Sequence, residues 1–282
     1  MESEKGDRKL QLPVRAWNRN GSSVGPTSEV ILEVEELSVR FGGVPALDGV
    51  SLKIGKGSVH ALVGPNGAGK TTCFNCVTRM QQPNNGKIRF AGQDLLDHSP
   101  SDLAGMGIGR TFQHPQVCSQ LTVYENVLLG YHARYTTSDF GAVVRTGGAR
   151  REDERVRHEA LHLLGQLGLE TMKDRVAGEL PYAALRRVEL ARALLGEPVL
   201  MLMDEPASGL TVSEVRELAT VVTSLNSEQG VSVVFIEHNL RFVEEACHQV
   251  TVLSGGRVIA EGSFEQIVSV QAVRDVFIGR AR

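Results

Sequence analysis

The stretch Gly64-Pro65-Asn66-Gly67-Ala68-Gly69-Lys70-Thr71-Thr72 constrains this chain more than any other. It fits the pattern GxxxxGK[ST], in which glycines let successive backbone N–H groups turn inward and cradle phosphate oxygens. A short apolar run, Val59–Val63, leads directly into it, and a helical pattern begins at about Thr71. That context matters, because the positive end of the following helix adds to the phosphate site. On this reading Lys70 bridges the β- and γ-phosphates of ATP. The Thr71 hydroxyl is a ligand of Mg²⁺, which prefers oxygen donors and keeps several waters.

Further along, residues 199–205 form an apolar run that ends in two acids, Asp204 and Glu205. A buried strand does not end in adjacent carboxylates without compensation, since an unpaired charge is costly there. Downstream of a phosphate loop, Asp204 is placed to reach the Mg²⁺ shell. Glu205 is placed to accept a proton from, or to orient, an attacking water. His238 follows another apolar run, VSVVFIEH, and at a strand's C-terminal end it lies on the ligand-binding rim of an open α/β sheet. A neutral imidazole there can hydrogen-bond the γ-phosphate. Gln113, in RTFQH, sits where the core passes into a helical stretch and can touch Mg²⁺ or the water. Phe41 ends the first strand pattern; it either stacks on an adenine face or packs in the core.

The pattern along the chain alternates strands and helices, which indicates a parallel α/β sheet. Residues 30–41 alternate apolar and polar and read as an edge strand. Strands are also expected at 47–54, 87–90, 199–203 and 231–236, with a short β-segment at 250–258. A helix is expected at 213–228, and the end of the chain, 263–282, reads as a helical tail. From about 115 to 180 strand signals fade and charged, Leu-rich stretches take over, which predicts an inserted helical subdomain. Residues 1–29 are polar and rich in Gly, Ser, Arg and Asn, and read as a disordered extension. They contain no apolar signal segment, so the chain is expected to stay in the cytoplasm. No apolar run reaches the roughly 18–20 residues that span a bilayer. A net charge of −3 gives no support to nucleic-acid binding. Cys73 and Cys76 form a CxxC with no second pair or nearby His, and read as packing residues on the helix after the loop.

Phe41, GPNGAGKTT, TFQ, the LxYxxxRRxELARAL stretch, LMLMDEP, SGL and EHN, in that order, resemble the ABC transporter ATPase family over about residues 30–262. VRFGGVPALDGVSL, FNCVTR, MGIGRTFQHPQV, LTVYENVLLG and FIGRAR are similar to the ATP-binding subunit of branched-chain amino acid importers. The resemblance implies a P-loop NTPase core with a mixed, largely parallel sheet, an antiparallel β subdomain and the helical insert. It implies ATP and Mg²⁺ as cofactors. It also implies two ATPase chains closing head-to-tail, a second, related ATPase as partner, two transmembrane permeases and a substrate-binding protein, at the cytoplasmic face of the inner membrane. Cargo follows only from the likeness: branched-chain amino acids, or urea, short amides and other small polar solutes.

One departure stands out. The family signature, usually LSGGQ, is here Leu180-Pro181-Tyr182-Ala183-Ala184. Pro181 replaces a hydroxyl donor and lacks an N–H. Ala183 replaces a glycine that admits close approach of backbone to the γ-phosphate. Ala184 replaces an amide. Two other readings are weighed against a transport ATPase. A soluble relative acting on DNA or ribosomes would carry two cassettes, coiled-coil arms or basic inserts, which this chain lacks. A regulatory clamp that binds ATP with weak hydrolysis would account for the altered signature, but the intact Glu205 argues against it for at least one site.

Overall fold

The computed structural model describes residues 29–135 and 147–278. Nearly all of the expected N-terminal extension, the middle of the helical stretch and the last four residues lie outside the described residues. Among the described residues the strands form two sheets. The first is antiparallel, with β1 (Val30–Phe41) between β2 (Val44–Gly55) and β4 (Asn85–Phe90), and β5 (Gln93–Asp94) outermost. The expectation of an edge strand at 30–41 is therefore corrected. Alternation reports that one face is buried; it does not report whether a strand has neighbours on both sides.

The second sheet holds β3 (Val59–Val63), β6 (Ile108–Thr111), β7 (Leu200–Asp204), β8 (Ser232–Glu237), β9 (Gln249–Ser254) and β10 (Arg257–Gly262), in the order β10-β9-β3-β8-β7-β6. Its pairs are parallel except β10 on β9. The single segment expected at 250–258 is two strands, because the chain reverses at Gly255 and Gly256. The central strands are apolar throughout because both faces are covered. Met201, Met203, Val233 and Phe235 go to one core and Leu200, Leu202, Val234 and Ile236 to the other. The antiparallel sheet and α1 (Lys70–Val77) complete the second core.

Between β6 and β7 the chain is helical: α3 (Val123–Tyr135), α4 (Gly147–Gln166) and α5 (Tyr182–Leu195), preceded by a short α2 (Asp102–Gly105) ahead of β6. Val127, Leu164 and Val188, one from each of the three, are buried together with the first core. Backbones of α3 and α5 run close, since a Cβ at Gly130 would lie 1.8 Å from the Arg192 carbonyl oxygen. α6 (Val212–Gln229) opens with a reciprocal cap between Thr211 and Glu214. α7 (Leu240–Ala246) packs Phe242 edge-on against Phe235 at 4.9 Å. α8 (Phe264–Ser269) and α9 (Gln271–Ile278) follow the last strand. Among the described residues no helix is long and apolar enough to cross a membrane.

Candidate functional site

The site begins where β3 leaves the sheet. Gly64 has φ +151, and a Cβ there would fall 2.1 Å from the Leu253 carbonyl oxygen. Gly69 has φ +101, and its Cβ would meet the Ala46 oxygen at 2.5 Å. Only glycine fits these two places, so the loop can lie directly against the backbone of β9 and β2. Gly69 is also the N-cap of α1 and makes no side-chain cap bond. The first N–H groups of α1 are thus available to an anion. Lys70 is buried and donates to the carbonyl oxygens of Gly64 and Pro65, at 2.7 and 2.9 Å. Burial lowers its pKa from the ordinary lysine value, opposed by the charges of Glu205 and Asp204.

The two acids at the end of β7 differ sharply. Asp204 is buried, and Arg110 lies 3.6 Å from it. Burial raises the Asp204 pKa and lowers that of Arg110, so mutual attraction does not fully offset desolvation of the pair. Arg110 is held by Asn75, by Thr78 and by the ring of Phe112, 4.6 Å below its guanidinium. Glu205 has φ 47, a left-handed backbone that costs a non-glycine residue. Its N–H donates to the Ile236 oxygen at 3.0 Å and its own carbonyl accepts from Arg186 at 2.8 Å. Gln113 donates its amide to the Glu205 carboxylate at 2.9 Å. His238 Nδ1 is 3.9 Å from the other carboxylate oxygen, too far for a hydrogen bond.

Phe41, residues 64–72, Gln113, Glu205 and His238 line one cleft of about 800 Å³. Every residue expected at the site except Asp204 is on its wall; Asp204 lies behind Glu205, at the buried strand end. Phe41 is 50% exposed, so of its two readings core packing is not what the structure displays. Two oxygen donors on the wall suit a hard cation, the exposed Thr71 hydroxyl and the Gln113 amide oxygen, while the Asp204 carboxylate is buried at the strand end, 3.6 Å from Arg110. Among the described residues no group of three or more His, Cys, Asp and Glu could cage a metal. A cation here would need phosphate and water to complete its shell, which matches Mg²⁺ carried with a nucleotide.

Several groups that build the site were not singled out from the sequence. Glu237 is fully buried and accepts from the N–H groups of Ala207, His238 and Asn239, tying the turn after β7 to the turn after β8. Glu189 on α5 is buried and accepts from the N–H groups of Phe112 and Gln116, on either side of Gln113. Burial raises both carboxyls above their ordinary values. The available signal was a lone acid in an apolar strand or helix face, which must find several donors if it is to be buried. Cys73 and Cys76 are buried and free, with thiols pushed up to about 12 and about 11 by burial.

Comparison with known proteins bears directly on this geometry. The family model for the ABC transporter matches residues 47–208. The chain is 36% identical over 254 residues to the high-affinity branched-chain amino acid transport ATP-binding protein BraF of Pseudomonas aeruginosa, covering 90% of this chain and 100% of that protein. It is 34% identical, with the same coverage, to LivG of Escherichia coli K12, a protein of the same description. The crystal structure of the ADP conformation of MJ1267, an ATP-binding cassette of an ABC transporter, superposes with a TM-score of 0.76 at 31% identity. That match covers 90% of this chain and 100% of MJ1267.

Proposed function

This chain belongs to the ABC transporter ATPases, and from that premise we propose that it is the ATP-hydrolysing subunit of an importer for branched-chain amino acids or related small polar solutes. The observation that carries the reading is the convergence of the phosphate loop, Gln113, Glu205 and His238 on one cleft. The names of BraF and LivG supply the cargo class.

The chemistry follows from the positions. The adenine stacks against the exposed Phe41, and the phosphates lie along the N–H groups of residues 64–72. Lys70 exchanges the carbonyls of Gly64 and Pro65 for phosphate oxygens, a stronger charge-assisted pairing. Mg²⁺, held by Thr71, Asp204 and Gln113, would neutralise charge on the β- and γ-phosphates. Glu205 accepts the proton of the attacking water, with Gln113 fixing its carboxylate. His238, 58% exposed and 3.9 Å from the Glu205 carboxylate, reaches the γ-phosphate beside it. The helices at about 115–180 form the unit that meets the permeases, with 114–124 nearest the coupling contact.

On this proposal the partners are a second ATPase, two permeases and a substrate-binding protein, and the chain works on the cytoplasmic face of the membrane. Reconstitution with the permeases in vesicles provides the test. ATP-dependent uptake of labelled leucine is expected, and uptake stops with Glu205→Gln. Uptake of urea or short amides in place of leucine would reassign the cargo, and the absence of any ATP-dependent uptake would refute the importer reading.

A further inference from the structure

Tyr182 and Arg186 lie on the first turns of α5, and neither is on the wall of the cleft. Both nevertheless reach the two residues assigned above to the attacking water. The Tyr182 hydroxyl donates to the Gln113 carbonyl oxygen at 2.9 Å. The Arg186 guanidinium donates from Nη2 to that same oxygen at 2.9 Å, and from Nη1 to the Glu205 carbonyl oxygen at 2.8 Å. Arg186 also lies over the Tyr182 ring at 5.0 Å and bonds its hydroxyl at 2.9 Å.

We infer that Tyr182 and Arg186 are positioning residues for hydrolysis: one guanidinium fork fixes the backbone of both Gln113 and Glu205, so α5 sets the geometry of this chain's own catalytic pair. The inference rests on the reading of Gln113 and Glu205 given above. Two further observations support it. Glu205 is held at φ 47, a conformation that persists only if its surroundings over-determine it. Its backbone is fixed at the N–H by the Ile236 oxygen, and its carbonyl accepts from Arg186 at 2.8 Å and from the Ser208 N–H at 3.1 Å, so Arg186 is the one side chain that holds it among the described residues. Gln113 sits in a loop whose flanking N–H groups are both held by Glu189, also from α5. Three side chains of a single helix therefore hold the segment that presents the Gln113 amide to the Glu205 carboxylate. A movement of α5 displaces both members of the pair together. Arg suits the task and Lys does not, because two carbonyls in different directions need a planar fork rather than a point donor.

The test uses the assembled transporter, with the partner ATPase's equivalent acid changed to Gln so that turnover reports this chain's site. Arg186→Gln is expected to lower kcat by about 10²-fold, the scale of a displaced catalytic group. Arg186→Lys should remain low. Tyr182→Phe, losing one neutral hydrogen bond, should cost about three- to tenfold. The KM for ATP should stay within about twofold in each, since none of these side chains lines the nucleotide cleft. In a Gln113→Ala background Tyr182→Phe should add little, because its effect passes through Gln113. Arg187→Gln is the control on the same helix; Arg187 faces Glu217 at 3.7 Å, away from the pair, and turnover should be unchanged. Wild-type kcat in Arg186→Lys, or an equal loss in Arg187→Gln, overturns the inference. Glu205→Gln separates the two layers. Near-zero turnover there with normal kcat in Arg186→Gln overturns the positioning role alone. Normal turnover in Glu205→Gln overturns the reading beneath it as well.

Discussion

Two helix starts in this molecule, those of α1 and α5, follow opposite building rules. Ahead of α1, Gly64 and Gly69 let the loop lie against the backbone of β9 and β2, and no side chain caps the helix. The backbone donors are left for something that is not part of the chain, and a buried lysine waits on carbonyls that are weaker partners than phosphate. Ahead of α5 stands Pro181, with no N–H to offer and no hydroxyl. Ala183 carries a Cβ where the family has a glycine, and Ala184 lacks the amide the family has there. The one polar side chain of the segment, Tyr182, turns back to the chain's own Gln113. The first start is organised around a ligand. The second also lacks a side-chain cap, but its side chains bond back to their own molecule.

The largest effect expected from this contrast comes at Glu205. In the assembled transporter Glu205→Gln should keep ATP binding but lower turnover at this chain's site by about 10²–10⁴-fold, the range for loss of a general base. Turnover of the complex and retention of labelled ATP measure the two halves. An unaltered rate rules out Glu205 as the base.

A second effect reaches the other helix start. With Glu205→Gln in place, the remaining turnover comes from the partner's loop acting with residues 180–184 of this chain. Pro181→Ser combined with Ala183→Gly returns a hydroxyl and an approachable backbone, and should raise that remainder by up to about 10²-fold. Ala184 is left alone because it is buried, and a glutamine there would bring an amide into an apolar contact. No gain from the double change breaks the comparison, and 180–184 would then be a tolerated variant rather than a weak half-site.

The two regions also differ in how far they were legible from sequence. Asp204 ends a strand, and the loop, Glu205 and His238 each follow directly on one, so short-range pattern places them. Tyr182, Arg186 and Glu189 act on residues 112–116 from 69, 73 and 73 to 77 residues away, and no local pattern encodes such pairings. Strand 30–41 misled for a related reason: its alternation records a buried face, whereas β4, its second neighbour, enters only after the phosphate loop. At 250–258, two glycines in the middle of the run were the unread sign of a turn. The CxxC reading as packing agrees with the burial of both thiols.

A smaller effect sharpens the loop side alone. Phe41 is half exposed and pairs only with Val44 across its hairpin, so Phe41→Ala should leave folding nearly unchanged. If the ring stacks on adenine, ATP binding should weaken by about 1–3 kcal/mol. The same change should alter triphosphate binding far less, since that ligand has no base. Calorimetry with both ligands decides the matter, and equal losses would point to a general disturbance of the loop.

The smallest effect is a difference in thiol labelling, and it asks whether the two regions differ in mobility as they do in construction. Cys73 and Cys76 are on α1, directly behind the phosphate loop, while Cys118 lies five residues beyond Gln113 and is exposed. Labelling requires both access and thiolate. Cys118 has access, whereas Cys73 and Cys76 have neither, with thiols pushed to about 12 and about 11. Cys118 should label rapidly at pH 8, and Cys73 and Cys76 should remain unlabelled even at pH 9, still below both raised values. ATP should leave the α1 thiols as they are, because the loop is already wrapped as its ligand requires. It should change the rate at Cys118, because α5 and the Gln113 segment move together and Cys118 is bonded through its backbone to Asn126 on α3. Mass spectrometry of timed samples with and without ATP gives each rate separately. Rapid labelling at Cys73 without ATP, lost when ATP is added, would mean that the loop forms around the nucleotide, and the contrast between a preformed start and a self-closed one would then fail on its first member.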